Sequence, residues 1–174
     1  MARIPYSNMQ GIKPELSAEL AKRPELNIYR MLANGGNASL GYLQLGGALR
    51  FDGILDPVVR ELIILRTGSL CKSEYELDHH TKIASDVGIS DDIITAAIDD
   101  EPDSPKFSKL ESAVLRFTDE NVLNGKASEN TFNELSIFFS PEELIETTLL
   151  IGLFTIIEYL IIWFGFELNH RKKN

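Results

Sequence analysis

Histidine is scarce in this chain, with only His79, His80 and His170, so each can be weighed as a proton carrier or ligand. His80 shares helical spacing with Leu77, Ala84 and Val87, an apolar stripe that should face a core. His79 falls with Tyr75, Lys82 and Asp86 on a more polar face. Neighbours at i and i+1 point in different directions, so the His-His pair is a weak metal signal and no metal is expected. Two carboxylates can join His80. Glu76 lies one turn earlier on the same face, where it can orient an imidazole or exchange a proton with it. Glu61 is in register with Val58, Leu65 and Gly68 on an apolar helix, where a carboxylate is expensive without a partner. Meeting across a helix pair, Glu61, His80 and Glu76 would form a proton relay in apolar surroundings, a setting that tunes groups for acid–base work.

Structural readings of the same residues stand beside this one. Ser73-x-x-Glu76 is a capping box, His80 is consistent with a satisfied core histidine, and Glu61 with an ion pair to Arg60 or Arg66 of a neighbouring chain. The single cysteine, Cys71, excludes an intrachain disulfide, a Cys-x-x-Cys pair and a multi-cysteine zinc site, and reads as a small buried hydrophobe. Gly35-Gly36 and Gly46-Gly47 match no phosphate-cradling spacing, and the acidic loop Asp99 to Pro105 lacks the pattern of a calcium site. No cofactor is expected.

The elements that must position these residues read as helices. Asp56-Pro57 is a cap followed by proline at the first helical position, before the apolar run Val58 to Leu65. Ser73 opens a helix running to Val87, Gly88 stops it, and Ser90 with Asp91-Asp92 opens the next. Lys109 to Leu123 ends at Asn124-Gly125, Ser128 caps a segment running to Phe139, and Ser140-Pro141-Glu142-Glu143 is a second capping box. Glu25 to Ala33 and Ala38 to Phe51 form two earlier helices separated by Asn34-Gly35-Gly36-Asn37. With no period-two run, the expected fold is all-α, a single-domain helical bundle of about eight or nine helices over residues 1–174, with its core motif at 56–90.

The chain has 174 residues, 44% hydrophobic and 25% charged, enough to bury a core and too apolar for disorder. A net charge of −9 argues against nucleic acid or an anionic membrane surface as main partner. The N-terminus lacks the apolar run of a secretion signal, so a cytoplasmic location is expected. Within a C-terminal helix at about 141–166, the apolar stretch Leu149–Phe166, followed by the basic run His170-Arg171-Lys172-Lys173, is long enough to span a membrane. Glu158 near its middle argues against that. Thr148, Gly152, Thr155 and Tyr159 form a small or polar stripe at helical spacing, which also suits a helix packed within a protein or oligomer.

At Pro57–Arg66, Ser73–His80 and Ala84–Ser90 the chain resembles the carboxymuconolactone decarboxylase / alkylhydroperoxidase D superfamily. The family pattern has a glutamate, then Cys-x-x-Cys about a dozen residues later, then a histidine four residues beyond the second cysteine. Glu61 and His80 match the glutamate and histidine, while Ser73 and Glu76 occupy the cysteine positions. Weaker similarity covers Glu25 to Leu32 and Glu143 to Leu160. The resemblance implies an all-α, alkylhydroperoxidase D-like oligomer, commonly a trimer or hexamer. In the thiol branch the cysteines reduce peroxide, and a serine hydroxyl cannot replace a thiolate in that cycle. The resemblance therefore points to the branch that lacks the thiol pair and performs decarboxylation or lactone isomerisation on a small anionic substrate.

The leading expectation is a thiol-independent lyase-like enzyme acting on a small carboxylated lactone or keto acid. His80 is the acid or base, Glu61 its relay partner, Glu76 an orienting group or second acid, and Arg60 or Arg66 the anion anchor. The alternatives are a non-catalytic oligomeric binding protein, an alkylhydroperoxidase or peroxiredoxin-like antioxidant, and a tail-anchored membrane protein. A Glu61–His80 pair sealed from solvent and joined by a direct hydrogen bond would favour the non-catalytic alternative.

Overall fold

Side-chain caps set most helix starts. Asp56 accepts from the Val58 N–H, and Ser73, Ser90, Ser108 and Ser128 each accept from an N–H in the first turn of the helix that follows. Ser108 with Glu111 and Ser140 with Glu143 form reciprocal capping boxes, the latter at 2.8 and 3.3 Å. Gly88 and Gly125, at φ of 96° and 75°, end helices in the left-handed region that favours glycine.

The computed structural model describes residues 2–165; Phe166 and the basic run 170–173 lie outside the described residues. Among those described are nine α-helices and no strand, in agreement with the all-α expectation. They are α1 (Pro14–Leu20), α2 (Asn27–Leu32), α3 (Gly36–Gly47), α4 (Pro57–Leu70), α5 (Glu74–Asp86), α6 (Asp91–Asp99), α7 (Lys109–Asn124), α8 (Glu129–Leu135) and α9 (Pro141–Phe164).

Local differences from the sequence reading have identifiable causes. Helix α1 has no counterpart in it, although Pro14-Glu15 is a start signal and Leu16 and Leu20 are its two buried residues. Helix α3 begins earlier, at Gly36, and gives way to a π-helical turn at Ala48–Asp52, just after the weak helix formers Gly46-Gly47. Helix α8 stops at Leu135 rather than Phe139.

The chain divides into two compact units, one of residues up to Asp52 together with those from Tyr159 onward, the other Gly53–Glu158. In the first, α1 packs on α3, and Arg23 ties them by donating to the Glu19 and Leu43 carbonyls at 2.5 and 2.7 Å. In the second, α4 is the hub, packing against α5, α6 and α7, while α8 packs on α7. Every residue from Glu61 to Gly68 is buried, and Leu62, Ile63, Ile64 and Leu65 are at most 1% exposed. Each of those four side chains contributes about 2 kcal/mol of apolar transfer. The core motif at 56–90 lies wholly within this unit.

Helix α9 is long and apolar enough by length and composition to cross a membrane, and 44% of its most apolar window is buried. Thr147, Leu150, Ile151, Phe154, Ile157 and Glu158 are buried, whereas Thr148, Leu149, Gly152 and Ile156 are exposed. The small-residue stripe thus lies on its outer side.

The α4–α5 joint brings the candidate residues together. Lys72 adopts φ 58°, and the N–H groups of Lys72 and Ser73 donate to the Ser69 and Gly68 carbonyls, each at 2.9 Å. This double closure normally recruits glycine at the left-handed position. Lys72→Gly is therefore expected to stabilise the protein by about 1 kcal/mol in urea unfolding, because it relieves a side chain held at positive φ. Destabilisation would show that the Lys72 side chain makes an energetically important contact.

Candidate functional site

Helix α4 carries Glu61 and α5 carries His80, and the turn between them is tight enough to set the helices side by side. Glu61 and His80 are 1% and 2% exposed. Their contact is direct: His80 Nδ1 lies 2.7 Å from Glu61 Oε2. On the other edge of the ring, Nε2 lies 3.3 Å from Glu76 Oε2. Phe154 of α9 meets the ring edge-on, with centroids 5.2 Å apart.

An imidazole with a carboxylate at each nitrogen satisfies both only when both nitrogens carry hydrogen. Burial works against the charged ring, but hydrogen bonds and charge from Glu61 and Glu76 outweigh it and raise the His80 pKa above its ordinary 6.5. The raised pKa favours the imidazolium, a proton donor. The two carboxylates hold it from opposite edges, so either can take up the hydrogen bond of a returning proton.

Ser73 explains why Glu76 is available to the ring. Ser73 Oγ accepts from the Glu76 N–H at 3.4 Å, which is the first half of a capping box. The second half would need the Ser73 N–H, and that donor is already given to the Gly68 carbonyl at 2.9 Å. The Glu76 side chain turns to His80 instead. Capping and site readings of this serine–glutamate pair are both realised, each with one of the two groups.

The arginines separate. Arg66 donates to Asp119 through Nε and Nη2 at 2.5 and 2.7 Å, and through Nη1 to the carbonyls of Asp100 and Ala97 at 2.8 and 3.3 Å. Its hydrogen bond to Asp119 raises its pKa further despite burial. Arg66 is thereby committed to a clamp between α4, α6 and α7. Arg60 Nε lies 3.6 Å from Glu61 Oε1, too long for a hydrogen bond, and is buried without a hydrogen-bond partner.

One residue of the cluster went unread as a site residue. Glu158 on α9 is fully buried. Burial pushes its carboxyl up to about 8; Ser73 and the His80 charge favour the ionised form, while Glu76 opposes it. Ser73 lies close enough to exert that influence, yet among the described residues no group meets either Glu158 oxygen in hydrogen-bond geometry. A Cβ on Gly68 would stand 3.5 Å from Glu158 Oε1 and 3.6 Å from Glu76 Cβ, ordinary contact distances that place both glutamates against α4. The sequence signal was an acid inside an apolar helix. Half-buried Cys71 has its thiol pushed up to about 11 by burial and by the Glu158 charge, away from thiolate chemistry.

Residues 39–120, which hold Glu61, Ser73, Glu76 and His80, match the model of the carboxymuconolactone decarboxylase family. Over that stretch, a little under half of its length, the chain is similar to this family. A curated relative, the uncharacterized protein YnjA of Escherichia coli K12, is 33% identical over 101 residues, 57% of this chain and 54% of that protein. The match therefore spans about half the length of that relative. The alkylhydroperoxidase AhpD core of Ralstonia eutropha JMP134, an uncharacterized peroxidase-related protein, superposes with a TM-score of 0.82 at 16% identity, over 97% of this chain and 93% of that one. The debrominase Bmp8 in its apo form gives 0.72 at 16% identity, over 90% and 83%. At such identities these likenesses concern the fold. Glu61 and His80, the glutamate and histidine on which the resemblance rests, are in direct contact.

The raised pKa values fix the sign of a pH effect. Glu158 binds its proton more tightly folded than unfolded, so its stabilisation is complete below about 4.5 and is lost as pH rises through about 8. His80 acts in the same direction, its contribution complete below 6.5 and lost above its raised folded value. The thermal unfolding midpoint should fall between about pH 6 and pH 9, and Glu158→Gln should flatten that fall, with its largest gain over wild type at the alkaline end. An equal slope in the variant would contradict the assignment to Glu158.

Proposed function

We propose that this protein is a thiol-independent proton-transfer enzyme acting on a small carboxylated lactone or keto acid, by decarboxylation or isomerisation. The observation that carries the reading is the bracketing of His80 by Glu61 and Glu76 at its two nitrogens. In decarboxylation the bond to the departing carboxylate breaks, its electron pair remains as an enolate, and a proton must be placed on carbon. His80, resting as the imidazolium, is the donor in this scheme. Glu61 holds its orientation through Nδ1, and Glu76 receives or returns a proton at Nε2. In isomerisation the same groups remove a proton from one carbon and deliver it to another.

Arg60 is the remaining candidate anchor for the substrate carboxylate, since Arg66 is held by Asp119. Thiol-based peroxide reduction finds no support at Ser73 or Glu76, nor in the raised thiol of Cys71. The names of the peroxidase-related and debrominating neighbours describe those proteins.

A second reading has its own observation. Glu61 and His80 are sealed from solvent and directly bonded, the arrangement expected of a non-catalytic family member that uses the scaffold for binding. The two readings differ in turnover. With a panel of carboxylated lactones and keto acids, His80→Ala should abolish activity while the circular dichroism spectrum and unfolding midpoint show a folded protein. Cys71→Ser should retain wild-type rates. Turnover that survives in His80→Ala removes His80 from the mechanism, and a wild type that binds these acids without converting them establishes the second reading.

The arginine assignment gives a further test. Arg60→Ala is expected to raise KM for the acidic substrate about tenfold or more, as loss of a charge-assisted contact does, with little change in stability. Asp119→Ala should instead destabilise by about 3 kcal/mol, because it leaves the buried Arg66 charge without its carboxylate. The opposite pattern would exchange the two roles.

A further inference from the structure

We propose that Glu158 is a fourth proton-transfer group of this site, a carboxylic acid held neutral beside Ser73 and Glu76 and coupled to His80. The argument starts from an unmet need. Glu158 is fully buried, and among the described residues neither of its oxygens has a hydrogen-bond partner. A charged carboxylate so placed would leave its solvation uncompensated, a cost of several kcal/mol that a bound proton removes.

The neighbours compensate a charge only in part: Ser73 and the His80 charge favour it, Glu76 opposes it, and burial outweighs them. Helix α5 presents Glu76 and His80, and His80 is already shared by Glu61 and Glu76. The α4–α5 turn presents Cys71, a thiol that gains nothing from a nearby anion, and the Ser73 hydroxyl. Helix α4 presents Gly68, which contributes only space. On its own helix, Phe154 lies one turn before Glu158 and packs against the His80 ring. The group is therefore placed within reach of the relay without belonging to its hydrogen bonds.

A neutral carboxylic acid in such a setting does what an ionised one cannot: it donates a hydrogen bond, and then a proton, to an oxygen that becomes negative during reaction. The step balances simply. Glu158 gives its proton to the acceptor and becomes a carboxylate, and one proton taken up from water restores it. Use of this proton in turnover rests on the proton-transfer reading above; the protonation of Glu158 and its coupling to His80 do not.

Infrared spectroscopy tests the proposal on the full chain without a substrate. At pH 7 the wild type should show a protonated-carboxyl stretch that disappears as pH rises through about 8 and is missing from Glu158→Gln. Nitrogen-15 NMR of His80 should show its titration midpoint lower by about one pH unit in Glu158→Gln, because the carboxylate that favours the imidazolium at alkaline pH is gone. Absence of the band from the wild type at pH 7, its persistence in the variant, or an unchanged His80 titration would each overturn the proposal. Turnover surviving in His80→Ala would defeat the enzymatic reading while leaving the band in place. Loss of the band alongside His80-dependent turnover would remove Glu158 alone.

Discussion

Three glutamates and one histidine are buried together, and one of the four, Glu158, finds no hydrogen-bond partner among the described residues. Glu61, Glu76 and Glu158 are at most 4% exposed, and His80 is the single cation that two of them contact directly. Everything else about the site follows from distributing protons under that constraint. The imidazole gains a proton because both of its nitrogens face carboxylates. Glu158 gains one because neither of its oxygens faces a donor.

The architecture that enforces this crowding is economical in residues. Ser73 closes α4 with its N–H and opens α5 with its hydroxyl, and that double use leaves the Glu76 carboxyl for His80. Gly68 removes a side chain where Glu76 and Glu158 approach α4. Arg66 is drawn into a buried clamp with Asp119 and two carbonyls. Arg66 is thus spent on holding α4, α6 and α7 together, and Arg60, 3.6 Å from Glu61 Oε1, is the guanidinium left beside the cluster.

Much of this was legible from spacing. Helix-face registers placed Glu61 and His80 on buried sides, and one-turn separation placed Glu76 beside His80; cap residues marked most helix starts in the second unit. What spacing could not give was choice among partners. Arg60 and Arg66 are equivalent in composition, and only the position of Asp119, more than fifty residues later, decides between them. The capping box at Ser73 was equally undecidable, because the competing acceptor is a backbone carbonyl of the preceding helix. Glu158 was conspicuous as an acid in an apolar run, but its meaning depends on which face of α9 turns inward. Helix α1 shows the same limit in reverse: its signals are present, but two buried leucines in seven residues carry little periodicity.

The likeness to solved structures concerns the fold, and the residues at positions 73 and 76 bear on the chemistry proposed for it. A serine that caps and a glutamate that pairs with histidine are the basis of the proposed proton transfer. The most direct measurement is nitrogen-15 NMR of His80 in the wild type and in Glu61→Gln. The account predicts an imidazolium at pH 7, protonated at both nitrogens, with a midpoint above 6.5 that drops in Glu61→Gln. A neutral imidazole at pH 7 in the wild type, or a midpoint indifferent to Glu61, would contradict it.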